Sequence, residues 1–245
     1  MARALNANEF LSKKFETLPF TGQWKRCFGE PESNFSMLLY GRSGNGKTEV
    51  ATMFAKYNTL FSHKVLYDSF EQGFSKSLQD AWRRQQMADV SDRMLVLHKE
   101  SLDQLMIRLS KKKSPGTVFM DSLQYLKMSY DGWHLLRNEF PRKRFIIVSH
   151  AEGDEPKGSV AKAIEYDVDI KCLVKGFQLF PRSRFGGNEP WIFYEQGHLN
   201  WLKRQGKEPK KKGSIIVPES AQSLELNFDN QPAPQEEPAA QPVES

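Results

Sequence analysis

Eight residues, Gly41-Arg42-Ser43-Gly44-Asn45-Gly46-Lys47-Thr48, have the composition of a loop that holds phosphate. They fit G-x-x-x-x-G-K-[ST] at every fixed position: Gly41, Gly46, Lys47 and Thr48. Glycines let the backbone wrap closely enough for consecutive N–H groups, from Arg42 to Glu49, to point at phosphate oxygens. The helix that follows adds a favourable dipole at its N-terminus. In such a loop Lys47 reaches the β- and γ-phosphates of a nucleotide such as ATP, and the Thr48 hydroxyl ligates Mg²⁺.

Phosphate chemistry needs further groups at neighbouring strand ends. Asp121 closes the apolar run Thr117-Val118-Phe119-Met120 and is placed to hold Mg²⁺ through water; the plainer reading is a helix cap. Glu71 follows Val65-Leu66-Tyr67-Asp68-Ser69-Phe70 and is a candidate base for an attacking water, or else an ordinary turn residue. His150 ends Ile146-Ile147-Val148-Ser149, as a γ-phosphate sensor or as a satisfied strand-end histidine.

The elements that must position these residues follow from apolar spacing. Ser36–Tyr40 is a short apolar run ending at Gly41, as in a buried strand, and Val50, Met53, Phe54 and Tyr57 recur at helical spacing after Thr48. Strand-like runs recur at 64–68, 94–97, 117–121 and 144–149, with helical stretches at 74–87, 102–109 and 133–140. This alternation predicts an α/β fold with a mainly parallel sheet flanked by helices. From Val168 onward three runs, 172–174, 177–180 and 191–194, follow one another with turns, which predicts antiparallel strands added at one sheet edge. Residues 1–35 are expected as a lead-in helix and loop, and residues 36–204 as the core.

With these elements in order, GRSGNGKT, VLYDSFEQG, VFMDSLQYL and IIVSH together resemble the RecA-like P-loop ATPases, above all the RadA and DnaB branches. The resemblance covers about residues 36–197. It implies Glu71 as catalytic base, Asp121 as metal site and His150 as relay of nucleotide state. Ala163–Asp169 resembles the segment that leads into the late strands of RadA cores. Pro181-Arg182-Ser183-Arg184-Phe185-Gly186-Gly187 is similar to the K-N-R-F-G motif of RadA and the K-x-R-N-G segment of DnaB, with Arg182 for lysine and Ser183 for asparagine. The resemblance makes Arg182 and Arg184 candidates to reach a neighbouring subunit's nucleotide, and implies a DNA-stimulated ATPase working as a ring or filament in recombination, repair or strand annealing. The bland reading of both arginines is a solvent-facing basic hairpin. Without a zinc ribbon or a primase-binding domain, the chain is similar to the core-only members of phages and mobile elements.

Charge points the same way. Six of the 30 acids and none of the 35 Lys and Arg residues lie in 218–245, so residues 1–217 carry +11. A basic body suggests a polyanionic partner, single-stranded DNA without sequence preference, with Lys111–Lys113, Arg142–Arg144 and Lys203–Lys212 as contact clusters. Residues 205–217 are expected as a basic linker. Residues 218–245, rich in Pro, Gln, Glu and Ala, are expected to be a disordered acidic tail, with Ser223–Phe228 as a possible protein-docking motif. Two rivals stay open, a non-catalytic nucleotide-gated DNA binder and a regulatory ATPase acting through protein partners. No apolar run of eighteen residues and no signal-like N-terminus are present, and only Cys27 and Cys172 occur, so a cytoplasmic location without membrane association is expected.

Overall fold

The structure is a computed structural model that describes residues 3–206. Its strands are β1 (Ser36–Gly41), β2 (Val65–Ser69), β3 (Met94–Leu97), β4 (Thr117–Asp121), β5 (Arg144–Glu152), β6 (Glu155–Pro156), β7 (Ile170–Lys175), β8 (Gln178–Ser183) and β9 (Trp191–Ile192). Its α-helices are α1 (Ala7–Leu11), α2 (Gly22–Phe28), α3 (Lys47–Asn58), α4 (Lys76–Arg84), α5 (Leu102–Leu109), α6 (Leu123–Leu126), α7 (Tyr130–Glu139), α8 (Ser159–Asp167) and α9 (Glu195–Arg204).

The main sheet runs β3-β2-β4-β5-β1-β7-β8-β9, and β6 pairs with the end of β5. From β3 through β7 every neighbouring pair is parallel, whereas β8 and β9 are antiparallel additions. Burial explains the two regimes. β1, β2 and β4 are buried at every position, as strands covered on both faces must be, and β7 alternates between buried and half-buried. Along β1, Met37 and Leu39 join one core layer with Val50 and Phe54 of α3, while Leu38 and Tyr40 join the other with Trp133 and Leu136 of α7. All the parallel strands therefore end on one edge, which carries Gly41, Ser69, Asp121 and His150.

Three features depart from the sequence expectations. Leu18, Phe20, Cys27, Phe28 and Phe35 are buried in the α3-side layer, so the second half of the expected lead-in packs onto the core; none of residues 3–17, α1 included, is buried. The expected strand at 191–194 stops at Ile192, and Phe193 and Tyr194 lead into α9, which packs its Gly197 against Tyr194 and Phe177. Arg142–Arg144 is not an exposed basic cluster. Arg144 begins β5, is 4% exposed and donates to the Phe61 carbonyl, and burial pushes its guanidinium down to about 10. Lys143 donates to Ser114 Oγ and the Pro115 carbonyl. No helix among the described residues is long and apolar enough to cross a membrane. The basic run at 207–212, the linker and the acidic tail lie outside the described residues.

Candidate active site

The phosphate loop leaves β1 at a point of close packing. A Cβ on Gly41 would lie 2.3 Å from the Val174 carbonyl oxygen of β7. Gly46 caps α3 at φ +91°, and a Cβ there would meet the rings of Phe177 and Phe193 at 2.7 and 2.9 Å. Gly176 and Phe177 form the two-residue turn between β7 and β8, both at positive φ, the conformation that matches hairpin twist. This turn braces the loop from outside: Gly176 N donates to Asn45 Oδ1 at 2.6 Å and Phe177 N to the Asn45 carbonyl at 3.1 Å. Asn45 Nδ2 in turn donates to the carbonyls of Arg42 and Ser43.

Inside the loop, Lys47 is 8% exposed and its Nζ donates to the Arg42 carbonyl at 3.2 Å. Burial pushes its pKa below the usual lysine range, and the carboxylates of Glu71 and Asp121 partly counter that. Thr48 Oγ1 accepts from Gln72 Nε2 at 3.0 Å, and Gln72 Oε1 accepts from Ser77 Oγ at 2.9 Å. Asp121 is 3% exposed, and Tyr67 donates to its Oδ2 at 2.6 Å. Burial lifts the Asp121 carboxyl to about 6, opposed by the Tyr67 bond, reinforced by Glu71 and opposed again by Lys47. The peptide bond Asp121–Ser122 is cis.

Glu71 and His150 meet across the end of β4. Glu71 Oε2 lies 3.1 Å from His150 Nε2 and accepts from Ser122 Oγ at 3.2 Å. The Asp121 carbonyl accepts from Glu71 N at 3.1 Å, which ties the end of β2 to the end of β4. His150 is fixed from behind, its N–H donating to Gln124 Oε1 at 3.1 Å while Gln124 Nε2 donates to Ser149 Oγ. Lys47, Thr48, Glu71, Asp121 and His150 thus share one edge.

The remaining candidates are placed differently. The Glu49 side chain turns away from the loop interior and pairs with Arg84, Nη2 to Oε2 at 2.7 Å, and with Gln85, which leaves its backbone N–H for the phosphate. Arg42 is exposed and, like Ser43 and Gly44, belongs to the outer turn of the loop. Beyond α3, Tyr194, half exposed, stands 5.5 Å from Phe177 ring to ring. Motif reading missed Tyr67, Gln72, Arg84, Gln124 and Tyr194. One of them left a signal: a tyrosine in a fully buried strand must find a partner for its hydroxyl.

No protein-family model matches the sequence, and no curated protein matches it. Among solved structures, the chain is similar to the flagellar accessory protein FlaH from Methanocaldococcus jannaschii, with a TM-score of 0.52 at 13% identity, over 73% of this chain and 97% of that one. Strand order, phosphate loop and this likeness agree. The fold is RecA-like. At such identity the likeness carries the fold alone.

In this RecA-like sheet Arg182 and Arg184 lie along β8 and just beyond it, below the strand edge that carries the loop. Arg182 is in register with Lys171, which pairs with Leu38, three residues before Gly41. Arg184 lies lower still, its N–H bonded to the Asp169 carbonyl and its guanidinium 3.5 Å from Asp169 Oδ1, beside Ser36. Five residues of strand, roughly 16 Å, separate that point from Gly41. Both side chains are exposed.

Proposed function

We propose that the chain binds and hydrolyses Mg·ATP and uses that cycle to act on DNA as a ring or filament. The observation that carries hydrolysis is the Glu71 carboxylate, held by Ser122 and His150 on the same strand edge as Lys47 and Asp121. Lys47 anchors the β- and γ-phosphates once they replace the Arg42 carbonyl as its partner. Glu71 takes the proton of the attacking water, and His150, its Nε2 3.1 Å from the Glu71 carboxylate, reports occupancy of the γ-position to β5. Thr48 and Asp121 supply a hydroxyl and a carboxylate oxygen, the hard donors that Mg²⁺ takes together with phosphate oxygens and water. That division of ligands fits the absence, among the described residues, of a cluster of three or more acidic, His or Cys side chains able to hold a metal alone. Bound Mg²⁺ would neutralise charge on the phosphates. The nucleoside leaves the loop over the first turn of α3, toward Arg84 and Tyr194.

The +11 charge of residues 1–217 supports a nucleic-acid partner. Both arginines are exposed, and the distance of Arg184 from its own loop is what an arginine acting on a neighbouring copy requires. The test is ATP turnover with and without single-stranded DNA, measured alongside particle size with and without ATP. Stimulation by DNA and ATP-dependent growth are expected, together with loss of turnover in Lys47→Ala. A second reading, a regulatory ATPase engaging protein partners, is favoured by the loss of Arg142–Arg144 as a surface cluster and by likeness to a flagellar accessory protein. Deleting residues 218–245 separates the two. The DNA reading expects equal or tighter DNA binding, and the partner reading expects loss of function.

A further inference from the structure

A second cavity lies on the outer side of the phosphate loop. It has a volume of about 790 Å³, and its walls are the loop turn Arg42–Asn45, the β5–β6 turn with Asp154, the end of β7 with Lys175, and the last turn of α9 with Trp201 and Arg204. Lys47, Thr48, Glu71 and Asp121 are not among the residues that line it.

Its lining is unusual in two respects. Among the described residues neither Arg42 nor Arg204 has an ion-pair or side-chain hydrogen-bond partner, whereas Lys175 is held by Asp154 at 2.7 Å. Trp201 stands one turn before Arg204, on the same side of α9. Its indole is fixed against the backbone of Gly176, where a Cβ would come within 2.4 Å of the ring, and it stacks at 21° on His198. His198 is itself anchored, Nδ1 lying 2.6 Å from the Gly176 carbonyl.

We propose that this cavity binds one nucleotide unit, with its base against Trp201 and its phosphate between Arg42 and Arg204. A fixed aromatic plane beside two guanidiniums without a partner among the described residues suits a planar base joined to an anion. The volume lies in the range of sites for ligands of that size. The unit can come from a single strand or from a free mononucleotide, since both present the same base and phosphate. The wall is shared with the phosphate loop: the Arg42 carbonyl receives Lys47 Nζ, and Asn45 receives Gly176 N. A ligand outside the turn and a triphosphate inside it therefore act on the same four residues. That coupling rests on the loop holding ATP; the outer site itself does not.

The test uses the full chain with two probes, a fluorescein-labelled oligothymidylate followed by anisotropy, and AMP followed by quenching of tryptophan fluorescence. At least one probe is expected to bind. Its affinity should fall by about tenfold or more in Arg204→Glu, and by several-fold in Trp201→Phe, which keeps a ring on Gly176. Lys203→Glu makes the same charge change on a residue that does not line the cavity, and should alter affinity by less than about threefold. Lys47→Ala should weaken ATP while the probe still binds, with at most a several-fold change through the lost Arg42 bond, so the outer site and the loop fail separately. The oligonucleotide binding alone assigns the site to a strand, and AMP competing with it adds the free nucleotide. The proposal is overturned if neither probe binds, if Arg204→Glu and Lys203→Glu weaken binding equally, if Trp201→Phe changes nothing, or if Lys47→Ala abolishes the binding.

Discussion

Asp68 gives a quantitative check on how this sheet edge is built. It lies on β2, three residues before Glu71, and is fully buried. Its two carboxylate oxygens accept the backbone N–H groups of Lys99 at 3.0 Å and Glu100 at 3.2 Å, which pins the loop after β3 to the end of β2. Burial lifts its pKa from 3.8 to about 6. The two N–H bonds and Arg108 pull it down, and the Glu100 carboxylate pushes it up. The folded chain therefore holds a proton between pH 3.8 and 6 that the unfolded chain has released. Stability contributed by this group falls as pH rises through that window, and the full penalty is present above it. The displacement from 3.8 to about 6 corresponds to about 3 kcal/mol. Asp68→Asn carries no charge at any pH and keeps one oxygen for one of the two N–H groups. The other N–H loses its acceptor, at about 1–3 kcal/mol, but that loss is the same at every pH. It moves the height of the difference curve and leaves its slope intact. Urea unfolding of both chains from pH 4.5 to 7.5 should show the variant gaining on the wild type by about 2 kcal/mol as pH rises, the rest of the penalty being already present at pH 4.5. A difference flat to within about 0.5 kcal/mol would refute the burial argument. A difference of opposite sign would mean that the N–H bonds and Arg108 outweigh burial.

Glu71→Gln should lower single-turnover hydrolysis by about 10²–10⁴-fold and change equilibrium ATP affinity by less than about threefold, because the carboxylate touches Ser122 and His150 rather than the loop. Equal losses in both would make Glu71 a binding residue. Gly46→Ala places a methyl against Phe177 and Phe193 at positive φ and should destabilise the fold by about 1–3 kcal/mol while weakening ATP by tenfold or more, read by urea unfolding and nucleotide titration. Tyr67→Phe leaves Asp121 Oδ2 without its donor, so a loss of about 1–3 kcal/mol in unfolding free energy and a higher Mg²⁺ requirement for turnover are expected. An unchanged Mg²⁺ requirement would separate Asp121 from the metal.

Much of the site was legible because its residues sit at strand ends, and strand ends can be read from apolar runs one segment at a time. Thr117–Asp121 was placed to the residue, and the loop pattern marks its own position between β1 and α3. What the runs do not contain is strand order. Glu71 reaches His150 because β4 alone stands between β2 and β5, a gap of about 10 Å that two side chains span from either side of Ser122. The bracing turn was illegible for another reason. A hairpin of this type ordinarily carries Asn-Gly, and Phe177 takes a positive φ because its ring covers Gly46, a contact between segments some 130 residues apart. The same limit governs the charge clusters. Arg142, Lys143 and Arg144 are adjacent in sequence, yet the start of β5 sends one guanidinium under the Phe61 carbonyl, commits the ammonium to Ser114 and leaves one residue of the three outside. Conversely, Arg42 and Arg204 are remote in sequence and unremarkable singly, but the fold sets both around one cavity, where among the described residues neither has an ion-pair partner and the one carboxylate of the wall, Asp154, is held by Lys175. A polyanion meets a surface and not a sequence. The proposed nucleic-acid contact is therefore sought at Arg42, Arg204 and Trp201, which the fold brings to one cavity, rather than at Arg142–Arg144, which it disperses.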